Sequence, residues 1–149
     1  MKLNVLFSHW EQVRCDLLKT IEQFTDEELD FIPFEGSWSV KQIILHIADC
    51  EDNWLHGVVQ GIYEPWIGYP EKDYPTRESM LAVLENAHEK TKTFLACHDT
   101  SDMDQEYLIP NEHPFKLGWI IWHVLEHEIH HRGELSLILG ILGHEGLDV

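Results

Sequence analysis

Eleven of the 149 residues are histidine, and their spacing decides what chemistry the chain can do. The densest run is Trp122-His123-Val124-Leu125-Glu126-His127-Glu128-Ile129-His130-His131-Arg132-Gly133. On a helix, His127 and His131 lie about 40° apart on one stripe, one turn from each other. Ile120, Val124, Leu135, Ile138 and Leu142 share or flank that stripe, which aims both imidazoles at the interior. Buried imidazoles are costly unless their nitrogens find partners. A divalent ion supplies one partner for both, since His at i and i+4 can each reach it at about 2.0–2.1 Å. The third ligand is expected from another helix. His46 is the candidate, at the edge of an apolar face and within about 60° of Ile43 and Cys50.

A three-His site leaves a coordination position open, the arrangement of a catalytic metal. Water there is activated for hydrolysis, and a thiol there becomes a thiolate for attack on an electrophile. Glu128 flanks the stripe and is the candidate general base. Glu134 or Asp49 is the candidate to orient a ligand imidazole. Cys50 lies one turn beyond His46. As a thiolate it would close the site and make the metal structural; otherwise it is a small buried apolar residue. A metal-stabilised binding module without turnover is the non-enzyme alternative.

Two other metal motifs fit less well. His127-Glu128-Ile129-His130-His131 has the letters of the zinc-protease helix, but Glu134 and Leu137 stand where its extended form needs Gly and His. Glu128/His131 and Glu85/His88 have the letters of a di-iron bundle, but Glu85 falls off the Met80-Leu84-Ala87 face. His123 is a supporting group or a spare ligand, and His130 points about 60° off the stripe, toward solvent or an interface. His9, His56, His88, His98, His113 and His144 lack a spacing partner and read as surface residues.

The elements that must position these residues are helical. Leu6, Trp10, Val13, Leu17, Ile21 and Phe24 recur at three- and four-residue steps. Thr25 with Glu28 makes a capping box that opens a short turn. A second helix starts at Ser37 or Ser39 and runs to about Gly61, with Val40, Ile43, Ile47, Trp54 and Val58 inward. The loop 61–75 holds Tyr63, Pro65, Trp66, Gly68, Tyr69, Pro70 and Pro75, aromatic enough to cover a site or simply to pack on the surface. Thr76 caps a third helix, with Met80, Leu84, Ala87, Thr91 and Phe94 inward. A loop over 98–115 precedes the last helix, 116–142, which Gly143 stops. With no strand alternation in view, the expectation is one all-α domain over 1–149, a four-helix bundle with two long connecting loops.

Composition narrows the rest. A hydrophobic share of 44% suits a globular chain, and no apolar run approaches the ~20 residues of a membrane span. The start lacks the pattern of a signal peptide. Three widely spaced cysteines with no CxxC fit a reducing cytoplasm. The formal net charge is −17, which reads against DNA, RNA or anionic membranes as partners, since phosphate binding draws on Lys and Arg. Trp122, Leu125 and Ile129 form an apolar stripe opposite His127, which points to a homodimer through the last helix unless the 98–115 loop covers it.

Taken together, the chain resembles the DinB/YfiT-like superfamily of metal-binding four-helix bundles. The likeness runs through nearly the whole chain in element order. It is sharpest at Ser39-Val40-Lys41-Gln42-Ile43-Ile44-Leu45-His46-Ile47-Ala48-Asp49 and at Trp122 to Leu135. The resemblance implies a metal triad at His46, His127 and His131, filled by zinc or nickel. It implies a small-molecule substrate, and most directly a thiol-dependent S-transferase using a low-molecular-weight thiol such as bacillithiol or mycothiol. A mycothiol-dependent isomerase and proposed hydrolases belong to the same superfamily, so a metal-dependent hydrolase is the alternative.

Overall fold

Apolar residues at helical spacing leave each of the four long segments with one face to bury, and packing those faces together makes the bundle. A computed structural model describes residues 1–62, 66 and 68–146. Among the described residues the helices are α1 (Leu3–Leu6), α2 (Trp10–Glu22), α3 (Val40–Glu51), α4 (Arg77–Cys97) and α5 (Leu117–Ile141). α3 packs between α4 and α5, while α2 lies against α5 and, more lightly, α4.

Local chemistry sets where these helices begin. Ser39 and Gln42 form a reciprocal capping box at α3, and Thr76 and Ser79 form one at α4. Thr25 and Glu28 do the same for the short 3-10 turn Glu27–Asp30. The first segment is not one helix. α1 ends at Leu6, and its start is tied to the segment after α4: Leu3 N donates to His98 O at 3.0 Å, and Thr100 N to Met1 O at 2.8 Å. The second segment reaches Gly61 as expected, but past Glu51 it widens into a π-helical stretch, Asp52–Gly57, and then tightens at Val58–Gln60. Gly61, at φ +73°, ends it in the left-handed region.

The 98–115 connection is not a plain loop. It contains a 3-10 helix, Thr100–Asp104, and leads into a small antiparallel pair, β1 (Glu106–Tyr107) with β2 (Phe115–Lys116). Two-residue strands are too short for alternation to show in a sequence. Tyr63 and Pro65 of the 61–75 loop lie outside the described residues.

The core has two apolar clusters. One gathers Leu17, Ile21, Ile43, Ile47, Met80, Leu84 and Leu135; the other gathers Leu3, Phe7, Trp10, Val13, Ile121, Val124 and Leu125. Between them, every long helix carries buried polar residues: Arg14 on α2, Glu51 on α3, His88 and Thr91 on α4, Glu128 and His131 on α5. The histidine centre lies at this polar level. Leu125 is buried in the second cluster, which also holds Leu3 of α1 and Phe7 just after it, so the apolar stripe expected to meet a second copy is reduced to Trp122 and Ile129. Even Trp122 is touched from within, edge-to-face with Phe7 at 5.3 Å.

Candidate metal centre

α3 supplies one imidazole and α5 supplies two. The capping box at Ser39 fixes the rotation of α3, burying Ile43, Ile44 and Ile47 and leaving His46 half-buried at the seam with α5. Across that seam, His127 Nε2 stands 2.9 Å from His46 Nε2. The three rings pair at centroid distances of 4.6 Å (His46–His127), 5.2 Å (His46–His131) and 4.4 Å (His127–His131). One ligand nitrogen from each lies within 4.8 Å of the others. The structure thus brings together all three histidines singled out in the sequence.

The donor set fits a divalent ion. Ligands at 2.0–2.1 Å from one tetrahedral centre stand roughly 3.3 Å apart, close to the His46–His127 separation. Ligand imidazoles must be neutral. Burial, reinforced by the neighbouring imidazoles, pushes His127 down to about 3. Burial also lowers His131, outweighing the opposing pull of Glu134. His131 Nδ1–H donates to Glu134 Oε2 at 2.8 Å, which fixes the ring and leaves Nε2 for an ion. Asp49 Oδ2 is 3.8 Å from His46 Nδ1, within ion-pair range. Both carboxylates named as orienting candidates therefore stand beside a ligand ring.

Glu128 stands elsewhere. It sits about 100° round α5 from His127, which turns it toward α2 instead of α3. Its Oε2 accepts from Trp10 Nε1 and from Arg14 Nη2, each at 2.8 Å, at 1% exposure. Arg14 also donates to Glu51 Oε2 at 2.7 Å, and Glu51 Oε1 meets His88 Nδ1 at 3.0 Å. Burial raises Glu128, with the Glu51 charge adding to it against Arg14. Burial would raise Glu51 too, but Arg14 and His88 hold it well below the carboxylate range. Glu128 is thus an internal partner of Arg14 and does not line the cleft beside His46, where the sequence placed it as general base. His88 belongs to the same network, buried and not on the surface as its isolated spacing implied. Arg14, flanked by apolar residues in sequence, carried no signal that it lay inside.

Cys50 is not among the converging ligands. It is packed in the second apolar cluster, and burial pushes its thiol up to about 12, so the slot is apolar packing. His123 also lies outside the triad and stacks on Trp119 at 4.8 Å and 8°. His130, exposed, forms a second potential ligand group with His131 and Glu134, sharing one member of the triad. His56, His98 and His144 are half-buried, while His9 and His113 are exposed.

A cleft of about 310 Å³ opens beside His46, lined by Trp38, Gln42, Leu45, Asp49, Tyr69 and Glu71. Trp38 packs edge-on to His46 at 4.7 Å and stacks over His131 at 6.3 Å. Gln42, already the capping partner of Ser39, donates from Nε2 to Glu71 at 2.9 Å. From the 61–75 loop, Tyr69 reaches the cleft and donates its hydroxyl to Asp52, and Trp66 Nε1 donates to Asp49 Oδ2 at 3.4 Å. That loop borders the site, as its aromatic content suggested. Trp38 beside Ser39 and Gln42 inside the capping box are cleft residues that their local roles had masked.

Known proteins share this build. A crystallised DinB-like protein of Bacillus cereus ATCC 10987 superposes with a TM-score of 0.78 over 99% of this chain and 97% of its own, at 16% identity. A Bacillus subtilis protein named "Putative metal-dependent hydrolase YfiT" is 24% identical over 146 residues, covering 87% of this chain and 82% of its own. The colibactin self-resistance protein ClbS, solved in complex with a dsDNA, superposes with a TM-score of 0.70 over 93% of this chain and 96% of its own, at 15% identity. That complex overturns the exclusion of nucleic acid drawn from the net charge. A formal charge of −17 is a sum over the whole chain and does not by itself describe any one local surface. No helix among the described residues is long and apolar enough to cross a membrane. The model of the DinB superfamily matches residues 9–135, and with the bundle and its three-histidine seam now in view, the chain belongs to that superfamily.

Proposed function

We propose that the chain is a metal-dependent hydrolase of small molecules, working at a divalent ion held by His46, His127 and His131. One observation carries this reading: three imidazole nitrogens within 4.8 Å of one another, with His46 lining an open cleft. The hydrolase name of the relatives points the same way. An ion at such a position acts as a Lewis acid and lowers the pKa of a water beside it to about 7.

The chain's own groups do the rest. Glu134 holds His131 in the tautomer that offers Nε2. Asp49, at the cleft, takes the place assigned in sequence to Glu128. Its carboxylate stands beside His46, is anchored by Asn53 Nδ2 at 2.6 Å, and is placed to receive a proton from the attacking group. Trp38 walls the triad from one side and limits bulk water around it.

S-transfer is the second reading, because the same open position takes a thiol in place of water. Cys50, buried and with its thiol raised, cannot be the sulfur source, so this reaction needs an added low-molecular-weight thiol. Zinc and nickel both suit three imidazoles. The experiment is metal analysis of protein purified without added metal, then a screen of esters, amides and electrophiles with and without thiol. Hydrolysis that stops on chelation, returns with zinc or nickel and ignores thiol is the expected result. Strict thiol dependence would replace hydrolysis by S-transfer. Turnover that survives chelation would remove the metal from the reaction.

A further inference from the structure

We propose that the aromatic surface formed by Trp54, Trp66, Trp119 and His123 is the substrate subsite of this centre, and that it takes a cationic organic group, a protonated or quaternary amine. This deepens the reading of the triad as an enzymatic centre and rests on it.

Placement is the first observation. Trp119, His123 and His127 follow one another at four-residue steps on α5, so the strip continues the histidine stripe toward the start of that helix. The His123 and His127 rings are 6.2 Å apart. On the opposite bank, Trp54 lies in the π-helical stretch that extends α3. Trp66 is joined to the cleft by its hydrogen bond to Asp49. The wider π turn is a feature that recurs near functional sites.

Ring geometry is the second. Trp54 meets Trp66 at 6.4 Å and 87°, Trp119 at 5.4 Å and 66°, and His123 at 5.2 Å and 74°. His123 stacks on one face of Trp119, so the ring surface left for a ligand is the exposed side of Trp119 and of Trp66, and an indole face carries negative quadrupole potential. Trp66 is 49% exposed and Trp119 46%, so large apolar faces are left in water beside the centre.

Charge is the third and decides the ligand class. The cleft beside His46 is lined by Asp49 and Glu71, and a second cleft of about 270 Å³, between His123 and His127, by Glu126. Neither lining contains Lys or Arg, and the aromatic surface borders the two clefts through Trp66, bonded to Asp49, and through His123, which lines the second. An anionic group would meet carboxylates and ring faces alone. A neutral group would gain packing and nothing from the carboxylates. A cation gains from both.

The test uses three soluble probes of one shape: choline, its neutral carbon analogue 3,3-dimethylbutan-1-ol, and the anion 3,3-dimethylbutanoate. Binding is followed by tryptophan fluorescence and NMR on chelator-treated and zinc-loaded protein, so the subsite is read without the metal. Choline should saturate in both forms, about fivefold tighter than the alcohol, with the anion weakest. Trp119→Ala should abolish that preference and Trp119→Phe should retain it, with zinc content unchanged in both. The proposal is overturned if the alcohol binds as tightly as choline, if the anion binds best, if nothing saturates, or if Trp119→Ala leaves choline binding intact. Choline binding by a chain that takes up no zinc would sink the metal reading alone.

Discussion

Carboxylates stand beside two of the three triad histidines, Glu134 in a hydrogen bond to His131 and Asp49 at 3.8 Å from His46, and their loss should act differently. Glu134 orients His131, and removing such a partner typically weakens metal affinity 10–100-fold. Glu134→Ala should therefore raise the zinc dissociation constant by about that factor, measured by competition with a chelating dye. Asp49 and Glu128 separate chemistry from architecture. Asp49→Asn should lower kcat by roughly 10²–10⁴ while zinc content stays at the wild-type level. Glu128→Gln should leave Arg14 short of a charge in the interior and lower thermal stability. The reverse pattern in steady-state kinetics and melting would restore Glu128 to the reaction.

The histidines also set a pH dependence for the metal-free protein. The folded state holds His127 down to about 3, against 6.5 for a free imidazole. Between those values the unfolded chain binds the extra proton, so stability rises with pH there. The contribution is complete above about pH 6.5, is lost as pH falls toward 3, and is flat below that. Urea midpoints of chelated protein should fall from pH 7.5 to pH 5 and fall less in His127→Gln.

At the scale of elements, the polar layer between the two apolar clusters is held by one cation. Arg14 sits at 4% exposure between Glu51 and Glu128, tying α2 to α3 and α5. Removing one partner of a buried ion pair costs about 3–5 kcal/mol because the remaining charge is left uncompensated. Arg14→Ala should lose stability of that order in urea unfolding, and a loss below about 1 kcal/mol would place the network in water. The helices were legible in sequence because caps and periodicity are local: Thr76 and Gly143 marked ends that the structure keeps, and of the two starts open for α3, Ser37 and Ser39, it takes Ser39. The pairing of His127 with His131 was legible for the same reason, since they are one turn apart on α5, whereas the approach of His46 depends on how α3 packs on α5. The break between α1 and α2 and the roles of Arg14 and His88 were not, because each is set by contacts distant in sequence, such as Leu3 to His98 and His88 to Glu51. Glu128 lies about 100° round the helix from His127, an offset the helical step already implies; its partners Trp10 and Arg14, more than 100 residues away in sequence, were not legible.

For the whole molecule, the proposed ion would link metal binding to folding. An ion that binds only the folded state adds stability of about 4 kcal/mol at a thousandfold excess over its dissociation constant. The seam it crosses joins α3 to α5, so the gain should appear as a cooperative rise in the melting temperature on zinc addition, absent in His46→Ala. Leu125, which the fold buries against α1, gives an opposite control: Leu125→Glu should unfold the chain instead of dissolving an assembly.

Whether His46, His127 and His131 together hold one divalent ion is read by X-ray absorption at the zinc edge of protein loaded with one equivalent. Imidazole scattering from three nitrogens at about 2.0–2.1 Å, a further light-atom ligand and no sulfur are expected, with the spectrum changed in His127→Ala. A zinc–sulfur distance of about 2.3 Å, or an unaltered spectrum in that variant, would contradict that ligand set.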